Sequence, residues 1–148
     1  MLDGVWSLDN PAFVSFVFYS TVLCLKMLFM GPLTGHYRKS RGIFLNPEDA
    51  RAFGPPNSTC RIDPEVERVR RAHQNDVENI PVFIVLASLF LLTSPSAFTA
   101  NMLFRSFTFC RVLYTIFYLR GSALRPVFYV IPLLICFYMS GCILAKFW

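Results

Sequence analysis

The chain has 148 residues, 55% hydrophobic, 16% aromatic and 16% charged, with a formal net charge of +5. Mean hydropathy is +0.49, and charge lies well below the roughly 25% of a soluble domain, which excludes an ordinary soluble fold; the length excludes a separate soluble domain beside the membrane segments. The basic excess suits membrane topology and an anionic-ligand site better than nucleic acid.

The first apolar segment, residues 11 to 37, opens with Asn10 as a cap and Pro11 in the first turn. It runs AFVSFVFYSTVLCLKMLFM with Lys26 as its only charge. Asp3 and Asp9 precede it and Arg38, Lys39 and Arg41 follow, the reverse of a secretory signal, so a retained span is expected. Residues 39 to 64 hold Gly42, Pro47, Gly54, Pro55 and Pro56 among both charge signs and read as a loop.

The second segment, residues 65 to 92, changes character along its length. EVERVRRAHQNDVEN passes without a break into IPVFIVLASLFLL, and one helix over it would be ~42 Å long against a hydrocarbon core of ~30 Å. Its charged half should therefore stand at or just inside the boundary, where ionisable groups must be paired or wet. Arg68, Arg71, Asn75 and Glu78 fall on one stripe, and Arg70, His73 and Val77 on the next. Guanidinium, amide and carboxylate together suit a zwitterionic ligand. An ion-pair seam between helices and a plain positive-inside cluster are the alternatives.

A short uncharged turn, Thr93 to Ser96, leads to a third span, residues 98 to 119, and Arg120 to Arg125 lead to a fourth, residues 126 to 147. Basic residues gather at the first and third connections, which places both on the cytoplasmic side. Arg111 lies deep in FTFCRVLYTIFYL, sharing a face with Tyr114 and Tyr118, and should turn toward a neighbouring helix, one with a carboxylate. The expected architecture is a single all-α domain over residues 1 to 148, an integral four-helix bundle. Pockets for so many guanidinium groups are more easily built between subunits.

The run VERVRRAHQNDVENIPVF, Val66 to Phe83, with Lys26-Met27, Asn46 to Ala50, Asp63-Pro64, Arg111 and Tyr118-Leu119, resembles the membrane-associated proteins in eicosanoid and glutathione metabolism, the MAPEG family. Within that family it is nearer the microsomal glutathione transferase branch, with the prostaglandin E synthase branch close by. The resemblance implies a homotrimer in the endoplasmic reticulum membrane, or the mitochondrial outer membrane, with glutathione as co-substrate between helices of adjacent subunits. It implies second-helix contacts from Arg71, Asn75 and Glu78 supported by His73, a further basic contact from Arg38, and a wall of Arg111, Tyr118, Arg125 and Tyr129. Arg125, with Tyr129 and Arg111, would be the catalytic group that holds the thiolate.

A thiol of pKa ≈ 8.5 is mostly protonated near neutrality, and a cation or donor beside it favours the thiolate. The second substrate would be a hydrophobic electrophile or a lipid hydroperoxide, entering from lipid beside Phe104, Phe107 or Phe128, aromatics that suit packing equally well. Pro126 stands where the prostaglandin branch has a hydroxyl residue, Gln74 where it has a basic one and Tyr114 where it has a histidine. Those departures favour glutathione conjugation with peroxidase activity over endoperoxide isomerisation. A non-catalytic scaffold that binds lipid or a partner enzyme is the reading from another class. Asp49 suits a loop role as well as a catalytic one. His36 and His73 lack the company of a metal site, and Cys24, Cys60, Cys110, Cys136 and Cys142 form no CxxC pair.

Overall fold

The computed structural model describes residues 4–148, so Asp3 lies outside the described residues. Helix α1 spans Pro11–Arg41. Asn10 caps it, its side chain accepting from the Ala12 N–H at 3.0 Å. The helix outlasts the predicted segment by about a turn: Arg38, Lys39 and Arg41 fill its last turn, where cations oppose the negative end of the dipole. It stops at Gly42, whose φ of 63° a side chain would resist.

The connection is more ordered than the sequence suggests. Strand β1, Ile43–Phe44, pairs in parallel with β2, Thr59–Cys60, around the short helix α2, Pro47–Phe53. The pair is too small to alter the all-α class, but residues 39 to 41 are helix rather than loop. Helix α3, Pro64–Leu91, is one unbroken helix of 28 residues, as expected, despite Pro81. Helix α4, Ala97–Leu119, starts where Ser96 accepts from the Thr99 N–H at 3.0 Å. Helix α5, Arg125–Phe147, begins with Arg125 itself.

Contacts at several levels set the register of the bundle. Parallel helices α1 and α4 are joined by Asn101 Nδ2 donating to Ser15 Oγ at 3.0 Å, by Phe16 against Phe104 at 6.2 Å, and by Lys26 Nζ donating to Thr115 Oγ1 at 2.8 Å. Antiparallel α3 and α4 meet through Phe83 stacked on Phe107, ring centroids 3.7 Å apart. The buried stripe of α3 is Val66, Val69, Ala72, Asp76, Ile80, Phe83, Ala87 and Phe90, the spacing of one helical face.

Helices α1, α4 and α5 are each long and apolar enough to cross a membrane. Helix α3 is as long, but its charges continue to Glu78 and its apolar stretch starts only at Ile80. Large side chains such as Val14, Phe18, Leu25, Leu28 and Phe29 stand exposed along α1, a surface that suits lipid. The protein is an all-α membrane protein with multiple transmembrane helices.

Candidate functional site

The charged half of α3 spends part of its basicity locally. Arg68 pairs with Glu65 at 3.2 Å and Arg70 with Glu67 at 2.8 Å, the i, i+3 contacts that helix geometry provides. Arg68 Nη1 also donates to the Leu119 carbonyl at 3.5 Å, bringing α3 to the end of α4.

Deeper in, the expected carboxylate for Arg111 is Asp76. Both side chains are 0% exposed. Arg111 Nη2 donates to Asp76 Oδ1 at 2.6 Å and to Asn75 Oδ1 at 2.7 Å. The other Asp76 oxygen is held by Lys26 from α1. One carboxylate thus serves two cations on two other helices, and the cluster keeps one net positive charge. Arg111 Nε and Nη1 have no hydrogen-bond partner among the described residues, which leaves buried donors available to an anion. The sequence reading missed the Lys26–Asp76 link. Its signal was there: Lys26 alone in the first span and Asp76 on the apolar stripe of α3.

Next to Arg111 lies an aromatic wall. Arg111 stands 4.8 Å from the Tyr114 ring centroid, and Arg125 stands 4.8 Å from that of Tyr118. Tyr114 lies 5.5 Å from Tyr118 and 6.3 Å from Tyr129. Tyr114, Tyr118, Arg125, Pro126 and Tyr129 line a cavity of about 340 Å³ where α4 ends and α5 begins. Arg125 is exposed and forms no ion pair among the described residues. A guanidinium over a phenol ring, with two more phenols beside it, can hold an anion against the ring edges and hydroxyls. Tyr114, which shares a helical face with Arg111 and Tyr118, belongs to this wall although it was not among the expected ligand contacts.

The remaining predicted contacts divide. Asn75 turns inward to Arg111, whereas Arg71 and Glu78 are exposed and His73 is half-buried. Glu78 Oε1 accepts from Gln74 Nε2 at 3.2 Å. Arg38 lies at a second cavity, about 330 Å³, with Lys39, Phe44, Asp49 and Phe53, and its Nε is buried without a hydrogen-bond partner among the described residues. Asp49 is held there by Asn46 Nδ2 at 3.1 Å. Within one chain, therefore, Arg111, Asn75, Tyr118, Arg125 and Tyr129 gather, while Arg71, Glu78 and Arg38 line neither the Arg125 cavity nor its aromatic wall. Phe104 and Phe107 are 0% and 1% exposed; they are core packing, not an entry for substrate. Phe128 stacks on Phe117 at 5.0 Å.

The model of the MAPEG family matches residues 16–145. The chain belongs to the MAPEG family. Among MAPEG relatives, human microsomal glutathione S-transferase 1 is 42% identical over 122 residues, covering 80% of this chain and 79% of that protein. Prostaglandin E synthase of Macaca fascicularis is 39% identical over 136 residues, covering 90% and 89%, and the human enzyme of that name is 39% identical over 135, covering 90% and 88%. MAPEG membership accounts for the motif of α3, but the two kinds of relative match at similar identity.

Proposed function

We propose that this MAPEG protein is a microsomal-type glutathione transferase that conjugates glutathione to hydrophobic electrophiles and also reduces lipid hydroperoxides. The observation that carries the proposal is the convergence of Arg125, Tyr118, Tyr129 and Tyr114 on one cavity beside the buried Arg111 cluster. Bound glutathione would supply the sulfur nucleophile, which displaces a leaving group from carbon or attacks the terminal oxygen of a hydroperoxide, breaking the O–O bond to release the alcohol and leave a sulfenic acid that a second glutathione converts to the disulfide and water. Arg125 stabilises the thiolate by charge, and Tyr129 donates to sulfur or orients Arg125. Arg111, anchored by Asp76 and Asn75, adds fixed positive charge behind the wall. Lowering a thiol pKa by two units corresponds to ~2.7 kcal/mol of preferential thiolate stabilisation.

The exposed positions of Arg71 and Glu78 support a site completed by a neighbouring copy, in a homotrimer of the endoplasmic reticulum membrane. Arg38 and Asp49 would meet the ligand from the adjoining subunit. Purified protein given glutathione with an activated aryl halide, and then with a fatty-acid hydroperoxide, should turn over both. Arg125→Ala should lower the ultraviolet difference absorbance of bound thiolate about tenfold or more while leaving the oligomer intact. No glutathione-dependent turnover of either substrate would remove the enzyme reading in favour of a lipid-binding scaffold. Prostaglandin endoperoxide isomerisation faster than conjugation would instead assign the protein to the synthase reaction, which Pro126 disfavours because it has neither a side-chain donor nor a backbone N–H.

A further inference from the structure

A hollow of about 520 Å³, larger than the Arg125 cavity, lies between α1 and α4. Tyr19 contributes from α1, and Met102, Arg105, Thr108, Phe109 and Val112 from α4. Arg105 stands eight residues beyond the first residue of α4, ~12 Å along its axis and thus at hydrocarbon depth. It is exposed, and it forms no ion pair among the described residues. A guanidinium facing lipid without a counter-ion is costly, unlike Arg111, which Asp76 neutralises on the inner face of the same helix.

Thr108, one turn further on, is only 7% exposed, and its Oγ1 has no hydrogen-bond partner among the described residues. Met102, Phe109 and Val112 share the face of Arg105 at helical spacing and make an apolar floor. A cation and an unanswered buried hydroxyl at the edge of an apolar trough fit an amphiphile with an anionic head. The volume falls in the ~300–1,000 Å³ range of small-ligand sites; it suits one acyl chain, and a diacyl lipid would leave its second chain outside the walls.

We infer that this groove binds a free fatty acid, with its carboxylate on Arg105 and its chain along Met102, Phe109 and Val112. Arg accepts a carboxylate through two parallel donors, and the Thr108 hydroxyl supplies a further contact. Arg105 lies ~20 Å along α4 from Tyr118, so the site is separate from the Arg125 cavity and does not depend on the glutathione reading.

The test uses the full-length protein in detergent with a diazirine-bearing palmitate, photolysis, and mass-spectrometric mapping of the adducts. Saturable labelling of the Met102 to Val112 stretch is expected, displaced by palmitate but not by hexadecanol. Arg105→Gln should weaken apparent affinity about tenfold, Arg105→Lys less, and Thr108→Val by a smaller factor, with glutathione binding unchanged in all three. Displacement by hexadecanol or by a diacyl phosphatidylglycerol as effective as by palmitate would overturn the proposal. So would wild-type labelling of Arg105→Gln.

Discussion

Asp76 carries more of the interior than any other polar residue. It is 0% exposed, and two cations from two other helices depend on it. Removing one partner of a buried ion pair costs about 3–5 kcal/mol, because the remaining charge is left without compensation. Asp76→Asn should therefore lower stability by about that amount in a detergent unfolding titration. Replacing Lys26 and Asp76 together with Met and Leu should cost less than Asp76→Asn alone, since it leaves only Arg111 to be accommodated and fills the space with apolar groups. Equal unfolding midpoints for wild type and Asp76→Asn would show that the cluster does not bear on stability. The same carboxylate keeps Arg111 beside Tyr114, so stability and ligand binding should fall together in Asp76 variants.

Among the elements, α3 depends most on its first turn. Asp63 caps it, with Oδ1 accepting from the Glu65 N–H at 2.9 Å and the Val66 N–H at 3.1 Å, and Arg41 stands 3.5 Å away. The Val66 N–H is the foremost reason that the Asp63 carboxyl titrates below the usual carboxylate range, with the Glu65 N–H and the Arg41 charge adding to it. A depressed pKa in the folded state contributes stability that is fully present above the unfolded value and is lost as pH falls through the folded one. Acidification below the usual carboxylate range should thus release the Glu65 to Arg68 amides to hydrogen exchange, after correction for intrinsic rates, before the middle of α3. Asp63→Ala should show that exposure already at neutral pH, and unchanged protection in that variant would mean that tertiary contacts alone hold the turn.

On the scale of the whole molecule, the separation of cations is the main finding. Arg111 and Arg125 stand against neighbouring rings of one aromatic wall, whereas Arg71 and Glu78 face outward and Arg38 lies at its own cavity with Asp49. If copies of the chain complete the site, Arg71→Ala should weaken glutathione binding about tenfold in calorimetry, with unfolding of the chain unaffected. Mass measurement in detergent should give three copies, and dilution to single copies should abolish binding. A single copy that binds glutathione as tightly as the assembly would place the whole site within one chain and leave Arg71 without a role in it.

Much of this was legible in the residues. Composition and apolar length determined a membrane protein of four long helices, the cap Asn10 marked the start of the first, and the depth of Arg111 pointed to an inward carboxylate. Each follows from local chemistry: helical periodicity, the orphan N–H groups of a first turn, the cost of a charge in hydrocarbon. The tertiary structure alone decided which carboxylate it was, that Lys26 shares it, that Tyr114 joins the aromatic wall, and that Phe104 and Phe107 are core. It alone set the α1–α4 groove beneath Arg105 and ordered the connection into α2 and a strand pair. Those outcomes depend on the axial register and rotation of one helix against another. That register is set by contacts such as Phe83 on Phe107 and Asn101 on Ser15, between residues far apart in the chain.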